Sequence, residues 1–196
     1  MSLDETVVAA VGPHPAVERI ELVGSRAEGR ATKWSDWDFG VRARDLAGLS
    51  AALPDLLAPL QPLVQQWDRL SETWCWMLIL RGPAKVDLIF ADEPHAKEPP
   101  WEPGPETLAG IDDHFWDWML WLLSKEVAGK DERVGAELEK LHDHLLRPLG
   151  VESRPTSILQ AVEAYRAVRE RAEQKFEVAV RRDVELAVAP ALASRP

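Results

Sequence analysis

The sequence predicts an α+β fold: a small mixed β-sheet with helices on one face, followed by a C-terminal helical region. Three observations carry this. The first half holds short apolar stretches separated by turn residues, the pattern of strands and tight connections. The second half places apolar residues three and four apart, the period of helices. Between them, residues 92–105 (DEPHAKEPPWEPGP) are dense in proline and charge, the composition of a linker. The expected division is a sheet domain at 1–92, a Pro-rich linker at 93–110 and a helical domain at 111–196.

Taken in order, Ser2 with Glu5 three residues later spells a capping box, so a short helix is expected to about Val11, stopped by Gly12 and Pro13. Residues 17–23 read as the first strand and 35–42 as the second. Asp45 then caps a helix over 46–57, with Leu46, Leu49, Leu53, Leu56 and Leu57 at helical spacing and a kink or break expected at Pro54. A third strand is expected at 63–67, and a hairpin joins 74–81 to 84–91 across Gly82 and Pro83.

In the second half, Ile111, Phe115, Trp118, Met119 and Leu122 form one helical stripe that ends near Gly129. Leu138, Leu141, Leu145 and Leu149 form another, broken at Pro148. A third helix is expected from about Thr156 to Leu186 or beyond, and a tail over 187–196 is expected to fray. Three helices are few for a self-contained bundle, so they are expected to pack on the sheet domain, on a second copy in a homodimer, or on both.

Composition narrows the function classes. The 196-residue chain carries a formal net charge of −10, which argues against nucleic acid as the main partner, because phosphate contacts need Lys and Arg surfaces. The same charge favours a neutral or cationic small molecule. The single cysteine, Cys75, cannot form an internal disulfide and lies in an apolar run, where a buried thiol is expected. Neither a signal peptide nor an apolar run long enough to span a bilayer is visible, so a soluble, cytoplasmic chain without membrane contact is expected.

The stretch with most chemistry is Val23 to Val41. An apolar strand enters the Gly24-Ser25 turn, a polar loop follows, and the chain becomes extended again at Asp36-Trp37-Asp38. Side chains two apart on a strand share a face, so Asp36 and Asp38 are expected side by side, with Trp37 and Phe39 opposite. Paired carboxylates suit a hard divalent ion such as Mg²⁺, and a glycine turn suits a polyphosphate. A third aspartate, Asp87, interrupts the apolar run Lys85-Val86-Asp87-Leu88-Ile89-Phe90.

Gly24-Ser25, then Asp36-Trp37-Asp38, then Asp87 on a later strand resembles the signature of the DNA polymerase β-like nucleotidyltransferase superfamily, over roughly residues 17–91. The order of a small sheet followed by helices also resembles the aminoglycoside and lincosamide nucleotidyltransferases, in which the helical part closes the acceptor pocket. The resemblance implies that Asp36, Asp38 and Asp87 form a catalytic metal triad for two Mg²⁺ ions. It implies nucleotide contacts from Gly24, Ser25, Arg26, Arg30, Lys33 and Ser35. The implied reaction transfers a nucleoside monophosphate from an NTP, ATP in the first place, to a hydroxyl of a small molecule such as an aminoglycoside-type antibiotic. Two other readings stay open: an antitoxin-like enzyme that modifies a protein side chain, and an inactive relative that binds a nucleotide or a partner.

The acceptor side is expected in the second half, with Trp101, Asp112, Asp113 and Trp116 as candidate contacts. For a general base, Glu102, Glu106, Asp112, Asp113, Asp117 and Glu126 are all open. The histidines make no metal site, since His142 and His144 sit two apart on a helix and face different ways.

Overall fold

The computed structural model describes residues 1–194, as two compact units, Met1–Glu98 and a second from Pro99 onward. The first unit is built on a five-stranded sheet in the order β1-β2-β5-β4-β3, from β1 (Val17–Val23), β2 (Trp37–Ala43), β3 (Val64–Trp67), β4 (Thr73–Leu80) and β5 (Ala84–Pro94). β2 and β5 run parallel and every other neighbouring pair is antiparallel, so the sheet is mixed. A parallel pair needs a long crossover. Here the crossover consists of α3 (Leu46–Leu57), β3 and β4.

Alternation sorts the strands into two faces. Phe39 and Val41 of β2, Trp76, Leu78 and Leu80 of β4, and Val86, Leu88 and Phe90 of β5 form one buried cluster with Val7 and Val11 of α1 (Leu3–Val11) and Leu49, Leu53 and Leu57 of α3. The helices cover this face. Each such side chain stabilises the fold by about 1.5–3 kcal/mol through burial. Trp67 meets Trp74 and Trp76 edge-on with ring centres near 5.0 and 5.1 Å, which accounts for three of the tryptophans as packing.

Local signals explain the element ends. Glu5 Oε2 accepts from Ser2 N at 2.9 Å at the start of α1, and Asp45 Oδ1 accepts from Gly48 N at 2.9 Å at the start of α3. Of the kink or break expected at Pro54, the break does not occur, since α3 runs unbroken past it. Leu49, Leu53 and Leu57 are fully buried on either side of the proline. Their burial outweighs one lost backbone bond and the ring's crowding, together about 3 kcal/mol.

The second unit centres on α4 (Leu108–Val127), which packs against α5 (Asp131–Leu141), α6 (Ile158–Phe176) and α7 (Asp183–Ala193). α4 is buried on most of its circumference, as a central helix must be. A single π turn, His142–Leu146, follows α5 ahead of Pro148. The long third helix read from the sequence is two helices. α6 ends at Glu177, which takes a left-handed conformation at φ 56°, and α7 starts anew at Asp183. Glu173 ties the reversal, accepting from Val180 N at 2.7 Å and pairing with Arg182 at 2.6 Å. The expected frayed tail is also corrected over its described part: Val188, Ala191 and Leu192 are buried in α7, while residues 195 and 196 lie outside the described residues. Among the described residues no helix is long and apolar enough to cross a membrane. Cys75 is buried, as expected.

The core and the caps should separate in magnitude. Phe39→Ala should cost about 3–5 kcal/mol, because it opens a cavity under the sheet. Asp45→Ala should cost about 1 kcal/mol, the value of one cap. Urea unfolding of the two variants against the parent measures both.

Candidate functional site

Gly24 closes β1 and opens a single helical turn, α2 (Gly24–Ala27). Its φ is +68°, and a Cβ there would stand 2.6 Å from Asp38 Oδ2. The absent side chain therefore does two things: it permits the left-handed turn and leaves room for the Asp38 carboxylate. The β1–β2 ladder ends at this point, with Val23 the register partner of Asp38. Ser25 follows, half-buried, in α2.

Arg26 is the strut of the loop. Its Nε donates to the carbonyls of Ser35 at 3.1 Å and Asp36 at 3.0 Å, and Nη2 donates to Ser35 O at 2.6 Å. Its guanidinium stacks 3.9 Å from the centre of the Trp37 ring. Burial lowers its pKa, and the Asp36 and Asp38 carboxylates oppose that shift. Its donors thus hold the backbone that carries the aspartates, and its charge lies within their field. Ser35 Oγ accepts from Thr32 N at 2.8 Å, which pins the loop's far side. Arg30 is exposed and paired with Glu28, and Lys33 lies 4.6 Å from the centre of the Trp34 ring.

The sheet brings two of the three aspartates together. Asp38 and Asp87 are register partners on the parallel strands β2 and β5, which places their Cα atoms about one strand spacing, ~4.8 Å, apart. Their neighbours Phe39 and Leu88 are also partners and point into the core, so both carboxylates rise from the opposite face. Asp36 lies two residues ahead of Asp38, just before β2, and is buried. Lys85 shares the Asp87 face, and its Nζ donates to Asp87 Oδ1 at 2.6 Å with both residues buried. Among the described residues no three His, Cys, Asp or Glu side chains are grouped so as to hold a metal ion. The donor chemistry and the shared face suit a hard divalent cation, while the Asp87 carboxylate is turned onto an ammonium.

The residues expected on the acceptor side are mostly interior. Asp112 and Trp116 have no exposed surface. Asp112 Oδ1 accepts from Tyr165 Oη at 2.7 Å, Arg169 Nη1 at 2.9 Å and Trp116 Nε1 at 3.3 Å, so both residues belong to the packing between α4 and α6. Burial pushes the Asp112 pKa up, while those donors pull it down. Trp101 is buried, and its backbone N–H donates to His144 O at 3.0 Å. Asp113 is paired with Arg181 Nη2 at 2.9 and 3.0 Å. Of the remaining general-base candidates, Asp117 is buried, Glu126 half-buried, and Glu102 and Glu106 exposed.

Two features escaped the sequence reading. Lys85 stands two residues from Asp87, a same-face spacing that was available as a signal. The network of Asp112, Tyr165, Arg169 and Glu185 joins residues far apart in the chain and left no local trace.

Two measurements follow from this geometry. Gly29 also has a positive φ, +67°, but open space around it, so Gly29→Ala reports backbone strain alone. Gly24→Ala adds the Asp38 contact and should lose more than Gly29→Ala, each in the range of about 1–3 kcal/mol, by urea unfolding. Burial raises Asp113 from 3.8 to about 6, against the opposing pull of Arg181. The folded state then holds that proton more tightly than the unfolded one. The contribution is full below pH 4 and is lost as pH rises through 6, with a ceiling of about 3 kcal/mol. Parent stability minus that of Asp113→Asn should therefore fall between pH 4 and 7.

No family model matches the chain, and no curated protein matches it. Among solved structures, the chain is similar to the structure of a GLD-2/RNP-8 complex, with 18% identity, a TM-score of 0.36, and coverage of 81% of this chain and 47% of that one. The chain thus spans about half the length of that structure's chain. It is also similar to the crystal structure of an aminoglycoside 6-adenyltransferase from Bacillus subtilis, with 8% identity, a TM-score of 0.35, and coverage of 97% of this chain and 96% of that one. Neither likeness assigns the chain to a family.

Proposed function

We propose that the chain is a nucleotidyltransferase that moves a nucleoside monophosphate from an NTP, ATP in the first place, to a hydroxyl of a small molecule. The observation that carries this is the pairing of Asp38 with Asp87 on one sheet face, beside a glycine turn that leaves room for Asp38. In the reaction the acceptor oxygen bonds to the α-phosphorus and the bond to the bridging oxygen breaks. The hydroxyl proton leaves with a base, and pyrophosphate departs.

Asp36, Asp38 and Asp87 are the residues that would hold Mg²⁺, which when bound supplies charge neutralisation and a more acidic acceptor hydroxyl. The remaining work belongs to the protein. Gly24 and Ser25 are the residues assigned to the terminal phosphates. Arg26 fixes the backbone at Ser35 and Asp36, which keeps the aspartates in place. Positioning is the larger part of such catalysis, because phosphoryl-type transfer needs little covalent help. The net charge of −10 supports a cationic acceptor of aminoglycoside type, without Asp112 or Trp116 as its contacts.

A second reading has an observation of its own. The Lys85–Asp87 pair and the lack of a three-ligand group among the described residues favour a nucleotide binder without turnover. The deciding experiment incubates the purified chain with α-labelled ATP, Mg²⁺ and a panel of hydroxyl acceptors, aminocyclitols and proteins included. Labelled acceptor is the expected product, and Asp36→Asn or Asp38→Asn should lower its rate about 100-fold or more with the fold intact by circular dichroism. Near-parental rates in both variants would remove the assignment. Nucleotide binding with no product on any acceptor would favour the second reading.

A further inference from the structure

We propose that the groove between α6 and α7 is a self-association face, into which a second copy of the chain lays its own α7 to form a two-fold dimer. Dimerisation through this face is independent of the reaction proposed above. The groove encloses about 390 Å³ and is walled by Leu159 and Val162 of α6 and by Ala189, Pro190 and Leu192 of α7. Leu186 lines it too and is 73% exposed, while Leu159 is 45% exposed. Beyond Met1, the large hydrophobic side chains exposed among the described residues are Val8, Leu159 and Leu186, so two of the three meet at one groove. A lone exposed leucine is ordinary, but two beside a recess mark a surface that another molecule covers. The outer face of α7 is apolar as well: Leu186, Pro190 and Ala193 are exposed, and every residue of the helix after Glu185 is apolar. A helix facing only water would carry polar residues there.

Size and charge both select a second copy as the occupant. α6 and α7 run in opposite directions, since Arg166 meets Glu185 at the start of α7 while Leu159 shares the groove with Leu192 and Ala193 at its end. Leu186 and Ala193 are two helical turns apart, on one line of α7 and about 10.5 Å from each other. A two-fold axis at Ala189 and Pro190 exchanges these positions, which sets the large Leu186 of each copy on the small Ala193 of the other. The same antiparallel packing brings the C-terminal end of the second α7 to the start of the first, where Arg166 stands. That end is the negative pole of the helix dipole, and α7 has no basic residue in its last turn. Arg166 makes one side-chain hydrogen bond among the described residues, from Nε to Glu185 at 2.7 Å, and its side chain is 43% exposed. Its Nη donors are therefore left for the last carbonyls of the second α7. Glu185 does not oppose this, because Arg169 holds its other carboxylate oxygen.

The test is sedimentation velocity of the full chain over a concentration series. The parent should move from a monomer of 22.0 kDa toward twice that mass as concentration rises. Leu186→Glu, at a position exposed in the monomer, should keep the fold by circular dichroism and weaken the dimer at least about tenfold. Cysteines read the register. Within one chain positions 186 and 193 are too far apart for a disulfide, which needs Cα atoms within about 7 Å. Leu186→Cys combined with Ala193→Cys should therefore give an oxidised dimer on a non-reducing gel, and neither single variant should. A parent that stays monomeric at every concentration would overturn the inference, a result that needs no variant to fold. Uptake of anilinonaphthalene sulfonate by that monomer, lost in Leu186→Glu, would then give the groove to another occupant. A dimer that Leu186→Glu leaves unchanged would overturn the assignment of this face, and a dimer without the bridge between 186 and 193 would overturn the antiparallel seating.

Discussion

The parallel pairing of β2 with β5 is the constraint on which the first unit depends. It joins the two ends of a long crossover, and it forces α3, β3 and β4 to be accommodated between. The apolar partners Phe39 and Leu88 anchor it from the core side. Because side chains alternate strictly, that anchoring decides which residues face the other way, and Asp38 and Asp87 are those residues. A slip of β2 by one residue would bury the Asp38 carboxylate under the helices and expose Phe39. The energy that sets the register is hydrophobic; its result is electrostatic.

The second unit handles charge in the opposite manner. Arg169 bridges Asp112 and Glu185, and Arg166 reaches Glu185 at 2.7 Å. Tyr165 stacks on Phe115 at 3.8 Å while its hydroxyl serves Asp112. Here aromatic packing and ion pairing specify the same contact between α4 and α6, and the charges are consumed internally. These pairs are balanced, two arginines against two carboxylates, so they leave the net charge of −10 to the rest of the chain.

Much of the fold was legible because its causes are local. Ser2 with Glu5, Asp45, the leucines of α3 and the Gly82 turn each act within a few residues, and the element ends beside them were placed to within a residue. Pro54 does not end α3 because the local rule is outweighed by tertiary packing of the leucines around it. Glu177 misled because a left-handed helix end is ordinarily read from glycine, and the ties that hold this one run through Glu173. At the candidate site, the face shared by Asp38 and Asp87 follows from alternation and was readable. The orientation of the Asp87 carboxylate depends on Lys85, whose side chain could equally have turned to solvent. Asp112 and Trp116 looked like a polar and aromatic surface because sequence alone cannot separate a buried carboxylate held through one oxygen from an exposed one.

The anchoring of α7 by Glu185 carries a consequence for how the chain tolerates shortening. Glu185 supplies one of the two carboxylates that hold the buried Arg169, and Arg182, just before the helix, closes on Glu173. A chain cut after α6 would strand a guanidinium among apolar side chains with half of its countercharge gone. The last helix thus works as an electrical closure for the helical unit.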